Sequence, residues 1–261
     1  MNSSNIPLIL RKFNTNYILH NSIILIIGPP KSGKSVITKD ILYNHFDINY
    51  GSVIAKEYCN KKIYDYIPPL FIHDKFDKYF IKKFIKKQLK LMNNNEYNSY
   101  SFLIFEDSLS YKNLKDSKYL RKLFCGTMQN ILSIIEIIEL SKIYETLLLK
   151  NKVDYLFIVK EPLENNRRII YESIKEKINI PYTLYCKFLD DYTEDYNFLI
   201  LDLKSESKYI QDKLFWYRAK EHKKFKIDNE ELWNYSNNHY NNTFEEKDHN
   251  YNIFLRSINH F

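Results

Sequence analysis

The sequence predicts an α/β fold, a mostly parallel central sheet with helices on both faces. Three observations carry this. Short apolar runs alternate with amphipathic stretches along the 261 residues, the order of repeated strand–helix units. The runs are apolar at nearly every position, as in strands covered on both faces. The first of them, Ile23-Ile24-Leu25-Ile26-Ile27, enters a Gly-Pro-Pro turn and then a helical stretch, the strand–loop–helix arrangement of a phosphate-binding unit.

Taken in order, Tyr17–Ile27 reads as a strand and Lys34–Phe46 as a helix, with Val36, Ile37, Ile41 and Leu42 at intervals of three to four residues. Ser52–Ala55 is a short strand, Pro68-Pro69 a loop, Phe71-Ile72 a short strand and Lys75–Met92 a helix. Asn93–Ser99 is a polar loop before the strand Phe102–Phe105. Lys118–Phe124 is helical and Gly126 ends it. Ile131–Ile138 is an apolar strand, Ser141–Lys150 a helix, Tyr155–Val159 a strand, Asn165–Ile178 a helix and Tyr196–Leu203 a strand. After Phe225 the chain turns rich in Asn, His and Glu, with a short helix at Glu230–Tyr235. The expected division is therefore one α/β domain over 1–225 and an appendage over 226–261.

Composition narrows the classes. At 44% hydrophobic the chain is globular. Lys and Arg outnumber Asp and Glu 39 to 32, an excess that permits a polyanionic partner without requiring one. The densest basic stretch, Lys75–Lys90, holds seven Lys against one Asp. As a helix it places Lys78, Lys82, Lys86 and Lys83, Lys87, Lys90 on adjoining strips, either a solvated face or a phosphate-binding one. Cys59, Cys125 and Cys186 form no CxxC, and the His residues form no HxxxH or HxH pair, so neither a zinc ribbon nor a disulfide scaffold is expected. No apolar stretch near the N-terminus is long enough to cross a bilayer. A soluble, intracellular protein without membrane insertion is expected.

The chemistry centres on Gly28-Pro29-Pro30-Lys31-Ser32-Gly33-Lys34-Ser35, which fits GxxxxGK[ST] between an apolar strand and an amphipathic helix. Two of the chain's four glycines, Gly28 and Gly33, fall here. They let backbone N–H groups curl around phosphate oxygens, and the helix N-terminus adds partial positive charge. Lys34 is placed to bridge the β- and γ-phosphates and Ser35 to ligate Mg²⁺. The expected ligands are ATP and Mg²⁺. The second half of such a site is an acidic residue ending a neighbouring strand, and Phe102-Leu103-Ile104-Phe105-Glu106-Asp107 supplies it. Glu106 would hold the Mg²⁺ hydration shell and Asp107 would polarise the attacking water. The usual order is Asp first, so the roles can also be exchanged. Candidate cations for the γ-phosphate are Arg167, Arg168 and Lys150, each also readable as a surface charge.

Three stretches together resemble a family: the P-loop strand; Asp154-Tyr-Leu-Phe-Ile-Val-Lys-Glu161 with Arg167-Arg168 and Tyr171-Glu172; and Phe215-Trp-Tyr-Arg-Ala219. They are similar to the genome-packaging ATPases of nucleocytoplasmic large DNA viruses, in the FtsK–HerA superfamily, over roughly Ile24–Trp233. The resemblance implies a RecA-like P-loop NTPase core, a homo-oligomeric ring, and ATP-driven movement of double-stranded DNA into a capsid, with capsid proteins as further partners. It implies a place at the viral assembly site in the host cytoplasm, or in the virion. It also implies a polar sensor ending the third strand, here Glu139. Lys150 stands where the family carries an Arg, and Gly126-Thr127-Met128 where it often carries Gly-Arg-His. The residues that hold the nucleotide are kept and several tied to hydrolysis depart. A motor ATPase and a nucleotide-binding structural subunit with little turnover both fit this pattern. A small-molecule kinase would need an Arg-rich lid that the sequence lacks.

Overall fold

The computed structural model describes residues 9–45, 47–48, 50–55, 61–94, 100–124, 130–138, 153–227, 230–240 and 253. Among these residues nine strands form one sheet. They are β1 (Arg11–Lys12), β2 (Ile23–Ile27), β3 (Tyr50–Ile54), β4 (Ile72–His73), β5 (Ser101–Glu106), β6 (Ile131–Ile137), β7 (Tyr155–Ile158), β8 (Asn197–Asp202) and β9 (Leu214–Arg218). Among the described residues the helices are α1 (Lys34–Tyr43), α2 (Lys78–Asn93), α3 (Tyr111–Asp116), α4 (Lys118–Phe124), α5 (Glu164–Ile178), α6 (Tyr182–Tyr192) and α7 (Glu230–His239).

The strand order is β1-β9-β8-β7-β2-β6-β5-β3-β4. Every pairing is parallel except those of β8 with β7 and β9. The mostly parallel α/β class is as predicted, with one antiparallel strand inserted. All residues of β2 and β6 are buried, which accounts for their unbroken apolar runs: with both faces covered there is no polar side to alternate with. The cost of burying these strands' backbone is met by the ladder itself.

Several predicted bounds shift. The strand expected over Tyr17–Ile27 is only its last five residues; Thr15–Tyr17 is a 3₁₀ turn in which the Asn14 side chain accepts from the Asn16 N–H. The Asx turn wins because Asn and Thr satisfy local backbone donors. The P-loop helix ends at Tyr43 rather than Phe46, capped by Asn44. The basic helix begins at Lys78 rather than Lys75, because Asp77 is its N-cap and accepts from the Tyr79 N–H. The C-terminal helix runs on to His239. Its Leu232 and Ser236 are buried, and the Ser236 Oγ accepts from the Leu70 N–H, so it packs against the loop before β4. The helix expected at Ser141–Lys150, with the candidates Glu139 and Lys150, and the Gly126 stop lie outside the described residues.

The sheet positions a crevice. From β2 the chain crosses through α1 to β3 on one side, and β7 lies on the other. Ligands in open α/β sheets bind at the carboxyl ends of strands where the order reverses in this way. A second tie closes that region. Asp40 of α1 is fully buried and accepts from the Tyr217 hydroxyl (2.8 Å) and the Lys220 N–H (3.1 Å), with His222 Nε2 at 2.5 Å. This anchors the segment after β9 to the P-loop helix. Removing one partner of a buried carboxylate costs more than a surface pair does.

Candidate functional site

The loop Gly28–Ser35 joins β2 to α1 at the carboxyl edge of the sheet. Its two glycines are there for different reasons. A Cβ on Gly28 would come within 1.8 Å of Val159 Cγ2, so only Gly lets the loop start against β7's end. Gly33 caps α1 at φ +93°, in the left-handed region. Its carbonyl accepts from the Val36 and Ile37 N–H groups, opening the helix. The loop leaves one orphan: Ser32 Oγ is buried with no hydrogen-bond partner. A phosphate oxygen is the acceptor such a hydroxyl fits.

Lys34 is buried, and its Nζ donates to the carbonyls of Gly28 (2.9 Å) and Pro29 (2.7 Å). Burial holds its pKa below the ordinary lysine value, opposed by Glu136, Glu106 and Asp107 in that order. The predicted phosphate lysine thus folds back over its own loop, facing three carboxylates.

The cleft beside it has a volume of about 730 Å³ and is lined by P-loop residues Pro30–Val36, by Glu106 and Glu136, and by Tyr196, Phe198 and Arg218. The prediction that the acidic strand would neighbour the P-loop strand is corrected. β5 pairs with β6, and β6 with β2, so β6 lies between them. The register puts Ile26, Glu136 and Glu106 side by side across the three strands. Glu106 lines the cleft, and its Oε2 accepts from the Tyr64 hydroxyl at 2.8 Å. Asp107 is turned inward at 5% exposure, with φ +46° and its N–H donating to the Glu136 carbonyl.

Glu136 is the residue the sequence reading missed. It is 1% exposed, and its Oε1 accepts from the Thr38 hydroxyl of α1 at 2.7 Å. Burial pushes its pKa up to about 7; the Thr38 hydroxyl lowers it, Glu106 raises it, and Lys34 and Ser35 lower it. A lone carboxylate inside Ile-Leu-Ser-Ile-Ile-Glu-Ile was the available signal, since such a group is buried only with partners. The expected consequence concerns stability. Below the unfolded pKa near 4.5 the protonated side chain is accommodated. As pH rises through about 7 that stability is lost, because the buried group must ionise. Glu136→Gln should therefore gain on the order of 3 kcal/mol over the wild type at pH 8 and little at pH 4.5. Denaturant melts at the two pH values check this; equal differences at both would show that Glu136 does not titrate in that window.

Among the described residues no group of three His, Cys, Asp or Glu could hold a metal. Mg²⁺ needs less, since it is commonly held by one or two protein oxygens plus phosphates and water. Ser35 and Glu106 fit that role. Arg167 and Arg168, candidate cations for the phosphate, are engaged elsewhere. Arg167 pairs with Asp190 (2.6 Å) and donates to the Glu161 carbonyl, while Arg168 pairs with Glu164 and lies over the Tyr182 ring. Arg218, at the end of β9, lines the cleft instead. Within the basic helix, Lys78, Lys86 and Lys90 are exposed and Lys82 half-buried. Lys87 is not on that face: its ammonium sits 4.3 Å over the Tyr50 ring, and burial lowers its pKa to about 8.

No family model matches the chain. Among viral proteins it is 30% identical to protein 075L of Invertebrate iridescent virus 6, over 78% of this chain and 76% of that one. It is 25% identical to protein L437 of Acanthamoeba polyphaga mimivirus, over 82% and 78%. In fold it is similar to the genome packaging NTPase B204 from Sulfolobus turreted icosahedral virus 2. With B204 in complex with sulfate the TM-score is 0.55 at 18% identity, covering 78% of this chain and all of that one. With B204 in complex with ATP-gammaS it is 0.54 at 16% identity, covering 73% and 96%. No helix among the described residues is long and apolar enough to cross a membrane.

Proposed function

The chain belongs to one family with protein 075L of Invertebrate iridescent virus 6, found in nucleocytoplasmic large DNA viruses and built on the fold of a genome packaging NTPase, and from that premise we propose that it is an ATPase motor moving double-stranded DNA into a capsid. The observation that carries the reading is the P-loop at the sheet's reversal point with two carboxylates in register beside it, Glu136 and Glu106. Gly28–Ser35 cradles the triphosphate, Lys34 turns from the loop carbonyls to the β- and γ-phosphates, and Ser35 with Glu106 holds Mg²⁺. When bound, the metal neutralises charge on the phosphates. Asp107 orients the attacking water, and Glu136 joins the hydrogen-bonded set that links water, Ser35 and Thr38. Glu139 keeps the sensor role the resemblance gives it. Residues 1–225 form the ATPase unit, and 226–261 an appendage anchored through α7. Copies of the chain assemble as a ring around DNA, with capsid proteins as partners, in the host cytoplasm or the virion.

The inward turn of Asp107 favours a second reading, a nucleotide-binding subunit with little turnover. A steady-state ATPase assay with and without duplex DNA separates the two: a motor is stimulated and a structural subunit stays near zero. For the DNA contact, the strip on α2 is the exposed Lys78, Lys86 and Lys90 with the half-buried Lys82. Replacing all four by Gln should reduce the slope of log affinity against log salt by roughly 3 to 4, since each lost phosphate contact removes about 0.9. Nucleotide affinity should be unchanged. Titrations of duplex DNA at several salt concentrations check this, run where light scattering shows oligomers. An unchanged slope would leave α2 a solvated face.

A further inference from the structure

α6 is joined to β8 by the tight turn Glu194-Asp195-Tyr196-Asn197, closed by the Asn197 N–H donating to the Glu194 carbonyl at 2.9 Å. Its two central residues, Asp195 (φ +52°) and Tyr196 (φ +61°), both lie in the left-handed region. Turns of this shape call for Asn or Gly; Asp tolerates the position, whereas a bulky ring there is an outlier. The outlier is not explained by packing, because Tyr196 is 66% exposed. What the conformation achieves is placement. Tyr196 lines the P-loop cleft, and a Cβ on Gly33 would meet Tyr196 Cδ1 at 3.6 Å and Phe198 Cζ at 3.8 Å. Phe198, fully buried, backs the same spot. Val36, in the N-terminal turn of α1, is 45% exposed and lines the cleft, and Arg218, Ala219 and Glu221 form the wall adjoining Tyr196, with Arg218 paired to Asn197 across β9 and β8. That wall is fixed by the Asp40 tie to Tyr217 and Lys220.

We propose that Tyr196, held over Gly33 at the mouth of the P-loop cleft, is the stacking platform for the base of the bound nucleoside triphosphate. This rests on the P-loop reading and extends it to the base. The direction of the phosphate chain supports it. Lys34 meets the terminal phosphates, and the helix N-terminus beyond Ser35 meets the inner one, so the nucleoside leaves the loop on the side of Val36 and Tyr196. A strained, exposed aromatic is stored there for a ligand rather than for the core. Stacking is tolerant of base identity, because every base has a π-face. Glu194 of the turn pairs with Lys160 at 2.6 Å.

The test compares Mg·ATP, Mg·GTP and Mg·tripolyphosphate by calorimetry on the full chain. Tyr196→Asn is chosen because Asn accepts the left-handed conformation and removes the ring. Both nucleotides should bind about tenfold more weakly to this variant, the lower range of what losing one stacked base does. Tripolyphosphate affinity should not change, and Tyr196→Phe should restore nucleotide affinity. Wild-type nucleotide affinity in Tyr196→Asn would overturn the proposal while leaving the P-loop reading intact. So would an equal loss for tripolyphosphate, which would make the turn only a support for the loop. A wild-type protein that binds none of the three would instead overturn the P-loop reading, and the platform with it.

Discussion

Replacing Lys34 by Ala should weaken Mg·ATP binding on the order of 10²-fold or more, since charge-assisted hydrogen bonds of this kind contribute about 1.5–3 kcal/mol each. The fold should survive. Lys34 is buried, its charge is disfavoured there, and its Nζ donates to the carbonyls of Gly28 and Pro29. Losing those two bonds is offset by removing a desolvated ammonium, so the thermal midpoint should shift by no more than ~4 °C. A second effect follows from the same geometry. The charge of Lys34 lowers the pKa of Glu136. Without it Glu136 should protonate at still higher pH, moving its titration further from the ordinary carboxylate range. Calorimetry with Mg²⁺ reads the first effect. Unchanged affinity would sink the assignment of Gly28–Ser35 as the nucleotide cradle.

What the sequence made legible is what was local. The P-loop is eight contiguous residues, so its context, a strand before and a helix after, could be read from the chain alone. The run of β5 ending in Glu106-Asp107 was equally compact. What stayed hidden depends on which strands become neighbours. β1 and β9 pair across about two hundred residues, through Arg11 with Phe215 and Lys12 with Trp216, and two residues carry no pattern of their own. Among the described strands the one antiparallel to the rest, β8, is as apolar as the parallel ones, so periodicity could not give its direction. α6 was missed although its buried residues Tyr185, Phe188 and Leu189 recur at three- to four-residue spacing. Glu136 sits in the middle of an apolar run, and only the register with Ile26 and Glu106 shows that it faces the cleft. Tyr196 was read as the first residue of a strand, whereas its left-handed backbone makes it the last residue of the turn before one.

The acidic pair offers the sharpest separation of roles. Glu106→Gln should weaken nucleotide binding in Mg²⁺ and leave the weaker binding in EDTA unchanged, because a neutral amide no longer attracts the metal's hydration shell. Asp107→Asn should bind Mg·ATP normally and lose turnover by ~10²-fold or more. The backbone supports using these substitutions. Glu106 is partly exposed and bonded to Tyr64, and Gln can keep that bond through its carbonyl oxygen. Asp107 sits at φ +46°, a conformation Asn adopts as readily as Asp. Neither change should unfold the protein, so a loss of activity can be read as chemistry. The inward position of Asp107, at 5% exposure, adds a condition. To reach an attacking water it must turn toward the cleft, and a DNA-bound ring is the state in which that turn would count. The defect of Asp107→Asn should therefore be larger with duplex DNA than without it. If turnover is untouched in both variants but falls in Glu136→Gln, the water is governed by the carboxylate on β6, and the Glu106-Asp107 pair is a metal contact followed by a buried turn.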